Sequence, residues 1–540
     1  MDDHEQDYDQ DSTEQTPLVQ NGQVGRNNNN TRHQRRPPHR PMLSVASIAS
    51  IASVNVPKTH NGNTIVFIFC GILLIVSCAD GFANIPLTKI VENFLCDQYY
   101  EEAHGIRAGG PDLVVDPRCK IPEIQSKMAI IFATVEACNA VVGSLAALPW
   151  GFAADRLGRR LVATIALLGL AMSVLWIMAI LYFLQTFTVT LAATTSLWRV
   201  VGGGSAVLVA ILLSMISDVI PEDQRATAFM RIHVSSMIGS LVSPALSSAM
   251  LRVAGPWPVM FVAVGCILAG AVAFMFVPET MQHKPSESAE QPHSDDSPQG
   301  IRGHLDHAAK QLRHSMSMFK SASLIILLLT CLTTNPIAGS VSQFLVQFVS
   351  KRYEIPIEST GYVQSGYGIF QIIHALLLLP WISRFLLRDK TPSFLRMPNE
   401  QVRDLALARW SFGILGFAFF IMTIAPTLWM FIAGLCILAL GSAATSLTRS
   451  LMSLYVDQQH RSRLFSLVGI VDTVGGLYGP PMLAGLFSLG MKQGGVWIGL
   501  PYLGVMVIAV LVVILMLFIR VPKQNIEERD TSEEGRTHQD

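Results

Sequence analysis

Apolar residues in this chain come in repeated blocks of about twenty, the length a helix needs to cross a hydrocarbon core of about 30 Å. Twelve such blocks read as spans near 65–87, 128–150, 161–183, 194–217, 227–250, 257–277, 323–347, 361–386, 409–427, 429–454, 464–490 and 497–520. Only 14% of the 540 residues are charged, against roughly 25% in soluble domains, and the mean hydropathy is +0.41. A soluble enzyme and a disordered scaffold are both excluded. The chain is expected to be an all-α polytopic membrane protein whose surroundings are the lipid bilayer.

Basic residues balance acidic ones, so net charge points to no nucleic-acid partner. Their distribution is informative. With both termini inside, Arg26, Arg32, Arg35, Arg36, Arg40, Lys58, Arg156, Arg159, Arg160, Arg225, Arg231, Arg461 and Arg463 all fall on the cytosolic side, as retention of positive charge inside requires. A multi-pass membrane protein with cytosolic termini is expected. Residues 1–63 begin acidic and hold the run Asn27 to Asn30 and a basic patch, without apolar periodicity, so a disordered cytosolic tail is expected there. The remaining organisation reads as six-helix bundles over 64–278 and 321–521, a cytosolic linker over 279–320 and a cytosolic tail over 522–540.

Six cysteines (Cys70, Cys78, Cys138, Cys266, Cys331, Cys436) fall within spans and are expected to pack as small apolar groups. Cys96 and Cys119 share the long outer loop, where an oxidising compartment would allow them to pair. No cysteine or histidine grouping suggests a metal, and no cofactor is expected.

The two halves resemble each other at a fixed offset of 236 residues: Arg225 falls on Arg461, Phe229 on Phe465, Gly239 on Gly475 and Pro244 on Pro480. The aligned stretches read Gly-Ser-Leu-Val-Ser-Pro and Gly-Gly-Leu-Tyr-Gly-Pro, the latter adding Gly479. Such a parallel repeat fits duplication of a six-span unit. Small residues let helices approach closely and proline removes a backbone hydrogen bond, so these positions serve either as packing sites or as hinges.

Between the second and third blocks stands Gly-Phe-Ala-Ala-Asp-Arg-Leu-Gly-Arg-Arg, from Gly151 to Arg160. Gly151 and Gly158 allow a tight turn, and Asp155, Arg156, Arg159 and Arg160 form a charged cluster able to lock one half against the other as a gate. This spacing resembles the signature of the major facilitator superfamily. The same resemblance extends to Leu197 through Gly204, to Ser217-Asp218 with Pro221 through Arg225, and to Val277-Pro278-Glu279-Thr280. The outer loop, with Glu92, Cys96, Tyr99-Tyr100 and Cys119-Lys120-Ile121-Pro122, is similar to a fungal branch of drug and metabolite:proton antiporters. The resemblance covers about 64–521 and implies two pseudo-symmetric six-helix bundles, a central cavity lined by spans 1, 4, 7 and 10, and alternating access. Two departures stand out. Ser243-Pro244 replaces the Gly-Pro common in antiporters, and the second half lacks a good copy of the 151–160 loop.

Ionisable groups inside spans are costly and mark function. At about 1.5 Å per residue, Asp80 lies about 24 Å, Glu136 about 22 Å and Arg199 about 28 Å from the inner edge, so the three share a depth. Asp472 in the eleventh span is the fourth proton-coupling candidate. His233 and His374 are expected to pack rather than carry protons. For the cavity, Trp198, Asn335 and Gln343 are the substrate candidates, and Asn335-Pro336 is expected to break its helix and free carbonyls. The otherwise apolar lining suits a neutral or amphipathic organic molecule. The expected function is therefore secondary active export of small molecules (metabolite, toxin or drug) in exchange for protons. A proton-coupled uptake symporter and a transporter-like nutrient sensor are the alternatives. No enzyme constellation and no channel filter is present in the sequence. Oligomeric state is left open, a monomer being the expectation.

Overall fold

The computed structural model describes residues 62–104, 117–183, 188–220, 222–279, 321–342, 344–386, 397, 400–455 and 461–519. The expected tails and the central linker lie almost wholly outside these residues. Among the described residues there is no strand, and twelve helices are long and apolar enough to cross a membrane. Spans 1 to 6 are Thr64–Glu102, Pro122–Leu157, Arg159–Phe183, Val189–Ile216, Ala228–Ala254 and Pro256–Met275. Spans 7 to 12 are Ala322–Ser342, Ile357–Leu386, Gln401–Ile424, Leu428–Tyr455, Leu467–Gln493 and Gly495–Leu517. An even number of crossings puts the start of span 1 and the end of span 12 on one face, here the terminal face. The opposite, far face carries the connection between spans 1 and 2.

The first two helices run far longer than the apolar pattern predicts. The first helix continues to His104 instead of ending near 87, and the second extends over Pro122–Leu157 instead of 128–150. Lys89 and Glu92 end the apolar run in the sequence, yet in the folded chain both are buried against ionic partners. With their charges matched inside the protein, no exit to water is required and the helix goes on. Pro122 opens the second helix, a position where its missing N–H is harmless.

Spans 4, 7 and 10 are interrupted. Span 4 passes from an α turn into a 3-10 segment, Thr194–Val200, and restarts at Gly204. Gly202, Gly203 and Gly204 hold φ of 81°, 74° and 68°, a region that only glycine visits cheaply. A side chain at Gly202 would also strike the backbone of Ala166 in span 3. In span 7 the helix ends at Cys331 and resumes at Thr334. Pro336 has no N–H to give the carbonyl four residues earlier, and that carbonyl, Leu332 O, instead accepts from the Tyr478 hydroxyl of span 11 at 2.8 Å. Span 10 is broken at Gly441–Ala443, where Ser442 meets the buried His374 of span 8 at 3.1 Å.

The repeated glycines do equivalent work in each half. A Cβ on Gly239 (span 5) would come within 2.6 Å of Leu74 O in span 1, and one on Gly475 (span 11) within 3.0 Å of Leu332 O in span 7. Gly479 lies against Pro336 in the same manner, at 3.1 Å from its nitrogen. Spans 1 and 5, and spans 7 and 11, are thus close-packed pairs. Pro244 adds a contact between the halves. The Ser365 hydroxyl of span 8 donates to Leu241 O at 2.6 Å and accepts from Ala245 N at 3.0 Å, occupying the gap where the helical bond between those two residues would lie. Spans 2 and 11 meet through Ser144 and Thr473 at 3.3 Å. The two largest apolar cores differ in their spans: one gathers residues of spans 1, 3, 4, 5 and 6 with Ala154 of span 2, another those of spans 7 and 9 to 12 with Ala129 and Ala133 of span 2.

Gly475→Leu is expected to destabilise the protein by ~1–3 kcal/mol through overpacking, while Gly485→Leu, at a position with nothing within 4 Å, should be tolerated. Thermal unfolding of the two variants in detergent checks the contrast.

Candidate functional site: two charged clusters and a sealed face

The break in span 4 places Arg199 at the end of its 3-10 turn, and the glycine turn makes room for it: a Cβ on Gly204 would sit 3.4 Å from Arg199 Nη1. Asp80 of span 1 and Glu136 of span 2 lie within electrostatic range of this guanidinium and of each other. Asp80 is exposed, Glu136 and Arg199 are half-buried, and Arg199 Nε is buried without a protein acceptor. Two carboxyl groups that share one guanidinium can exchange a single proton between themselves and water at a modest change in local charge. Three of the four predicted titratable groups are thereby brought together.

The fourth stands apart. Asp472 of span 11 forms a 2.8 Å ion pair with Arg449 of span 10. Its backbone carbonyl accepts from the Asn335 side chain of span 7, and its Oδ1 is buried with no hydrogen bond. Asn335 is thus turned toward the Gly475–Pro480 hinge, where its side chain also faces Gly476. Trp198 lies 6.0 Å from Trp176 of span 3, tilted against it. Gln343 lies outside the described residues. Of the two histidines, His374 is buried on Ser442 and His233 is exposed.

At the terminal face the Gly151–Arg160 motif is tied within the first six spans. Arg159 pairs with Asp218 at the foot of span 4. The Glu279 carboxylate accepts from the backbone N–H of Arg159 at 3.2 Å and of Arg160 at 3.1 Å, capping span 3 where the helix dipole favours a negative charge. Gly158, at φ 97°, leaves the space Glu279 needs: a Cβ there would lie 2.7 Å from its Oε2. Asp155 and Arg156 are exposed. The motif's charges alone suggest a lock between the halves. These partners of Arg159 and of the Arg160 backbone instead belong to its own half, because the end of span 6 returns to the start of span 3.

The far face carries a further, charged set of contacts between the halves. Lys120, 6% exposed, donates to Glu92 at 2.6 Å and across to Ser350 of the second half at 2.7 Å. Gln125 donates to the same Glu92 oxygen at 2.5 Å, and Gln347 to the Gln125 carbonyl at 2.6 Å. Lys351 donates to the Lys120 carbonyl, and Lys89 pairs with Glu358 of span 8 at 3.1 Å. Burial pushes the Lys120 ammonium below the usual lysine range, and Glu92 opposes that shift. Cys96 and Cys119 form a disulfide, Cα to Cα 5.2 Å, that fixes the segment carrying Lys120. Beneath these groups Ile85, Leu251, Val346 and Ile357 close an apolar plug from both halves. Sequence reasoning missed Lys89, Gln125, Gln347, Ser350, Lys351, Glu358 and Arg449. Lys89 and Glu92 share a helix face at three-residue spacing, the one local signal; their partners lie far along the chain. A largely apolar groove of about 610 Å³ between spans 2, 4 and 11 includes Cys138, Leu197 and Leu477 in its walls.

Twelve spans with interrupted helices and buried, paired charges are what a membrane transporter would show. The sequence profile of the Major Facilitator Superfamily matches residues 125–397 and 407–538, and the chain belongs to that family, as a transporter of small-molecule substrates of the fungal type and not an enzyme. It is 28% identical over 457 residues to the MFS efflux pump atnC of Emericella nidulans, covering 82% of this chain and 85% of that protein. It is 25% identical over 440 residues to the efflux pump ustT of Aspergillus flavus, covering 78% and 82%. Among solved structures it is similar to a D-xylose-proton symporter, with a TM-score of 0.57, 15% identity and coverage of 85% and 98%. A bacterial homologue of the lysosomal transporter Spinster, in an inward-facing and occupied conformation, gives a TM-score of 0.55 at 11% identity, covering 86% and 97%.

Glu358→Gln leaves Lys89 buried without its counter-charge, which should weigh ~3–5 kcal/mol against the closed far face. In a background lacking the six free cysteines, an Ile357→Cys thiol should then react with a membrane-impermeant maleimide, whereas without Glu358→Gln it should stay protected.

Proposed function

We propose that this protein exports small organic molecules, such as secondary metabolites or toxic compounds, across the plasma membrane in exchange for protons. It works as a monomer by alternating access between two six-helix bundles, 64–278 and 321–521. The terminal face is the cytosolic one. The crowding of arginine at the Gly151–Arg160 turn supports this orientation, and a disulfide on the far face fits an oxidising exterior. The arrangement described is then closed to the outside, with Asp80 exposed beneath the closure.

The observation that carries the reading is the cluster of Asp80, Glu136 and Arg199 at a break in span 4. In the state closed to the outside, Asp80 releases its proton toward the cytosol and its carboxylate turns to Arg199. When the far face opens, Asp80 takes up a proton from outside, Arg199 is left to Glu136, and the bundles return. Gly239 with Pro244, and Gly475 and Gly479 with Pro480, are the places where the paired helices can bend during this exchange. The efflux-pump relatives support the outward direction of cargo, and the apolar groove between spans 2, 4 and 11 suits an amphipathic molecule.

In liposomes with an imposed pH gradient, the native protein is expected to move protons only when a cargo from a solute panel is present. Asp80→Asn should abolish that coupled flux while leaving the melting temperature and the Cys96–Cys119 bond unchanged. Coupled flux that survives Asp80→Asn, or label that accumulates in the same direction as the protons, would refute the assignment.

A further inference from the structure

Beyond its break, span 10 continues as the helix Ala444–Met452, and this segment is polar along one side. Within this helix Ser446, Arg449 and Ser450 follow at i, i+3 and i+4, which places them on one helical face. Leu447, Leu451 and Met452 take the other side into the core of the second half. Ser446, Arg449 and Ser450 are exposed. A guanidinium directed into hydrocarbon is expensive. Arg449 instead reaches Asp472 of span 11 and lies in electrostatic range of Cys331 of span 7. The polar stripe therefore faces the interior that spans 7, 10 and 11 bound.

Arg449 is held loosely for an arginine inside a membrane protein. Among the described residues its guanidinium makes one hydrogen bond, from Nη2 to Asp472 Oδ2, and its side chain is 44% exposed. Arginine has five N–H donors in a planar fork and pairs with a carboxylate through two of them where it can. Here Asp472 offers a single oxygen, its Oδ1 being buried and turned away. The other donors of Arg449 have no protein partner among the described residues, and the exposed Ser446 and Ser450 share its helix face.

We propose that Arg449 is an anchor for cargo, and that the cargo carries an ionised carboxylate. The carboxylate docks on the open edge of the guanidinium, the Ser446 and Ser450 hydroxyls donate to it, and the rest of the molecule rests on apolar surface. This deepens the transport reading and rests on it. Asp472 is then a built-in competitor for the same cation. Cargo that takes Arg449 loosens Asp472, whose backbone is tied to Asn335 at the break of span 7 and which precedes the Gly475–Pro480 hinge on its own helix. Occupancy is thereby felt at the place where spans 7 and 11 bend.

The test is equilibrium binding, by calorimetry on the purified full-length protein, of 3-phenylpropionate and of its uncharged methyl ester. The native protein should prefer the acid by about tenfold, and Arg449→Gln should erase that preference, with Arg449→Lys retaining part of it. Asp472→Asn, which removes the competitor, should increase the preference. A pair that only braces the helices would respond alike to Arg449→Gln and Asp472→Asn, and that outcome overturns the proposal. So does equal binding of acid and ester, or no binding of the acid at concentrations on the order of 10 mM. Thermal unfolding of each variant confirms that a folded protein is being titrated. Because the measurement uses no pH gradient and no flux, its failure is distinguishable from failure of the proton-coupled export reading.

Discussion

A charge taken out of water inside a lipid-embedded protein must find either a counter-charge or a wet cavity, and this structure is organised by that requirement. Lys89 and Lys120 take the first course, against Glu358 and Glu92, and the pairings close the far face across the two halves. Asp80 and Arg449 take the second, remaining partly open to the interior with acids and bases nearby. The sealed face and the accessible clusters are two answers to one constraint.

Spans 4, 7 and 10, which carry or adjoin these clusters, are not continuous. A straight helix satisfies its own backbone, and in a membrane any interruption must be repaired locally. Here the repairs are visible. The Tyr478 hydroxyl takes the carbonyl that Pro336 orphans, and the Ser365 hydroxyl bridges Leu241 and Ala245 beside Pro244. Each repair comes from a neighbouring helix, so bending one span alters its grip on another. Glycines at Gly239, Gly475 and Gly479 bring backbones close enough for this coupling, with main-chain atoms of the partner helix in direct contact.

The halves share a plan but divide the chemistry unequally. In the first, two acids and an arginine meet where span 4 changes from 3-10 to α helix. In the second, a single acid and arginine meet beside a hinge, and the arginine keeps most of its donors free of protein partners among the described residues. The terminal face is braced separately by Arg159, Asp218 and Glu279, so the first half holds together at its base.

The sequence by itself determined the environment, the number of crossings and the repeat, because these follow from local apolar length and from residue types at a fixed offset. It also located Asp80, Glu136 and Arg199 at a common depth, since rise per residue is constant along a helix. It pointed to a break near Asn335-Pro336 for the same reason, proline's missing donor being a local fact. Only the tertiary structure decided that the first helix would run past Lys89 and Glu92, and that Glu279 would cap the N–H groups of Arg159 and Arg160. The pairing of Asp472 with Arg449, and of Lys89 with Glu358, was likewise decided there. In each case the deciding partner comes from another helix, and no pattern within one span records which distant side chain will meet it.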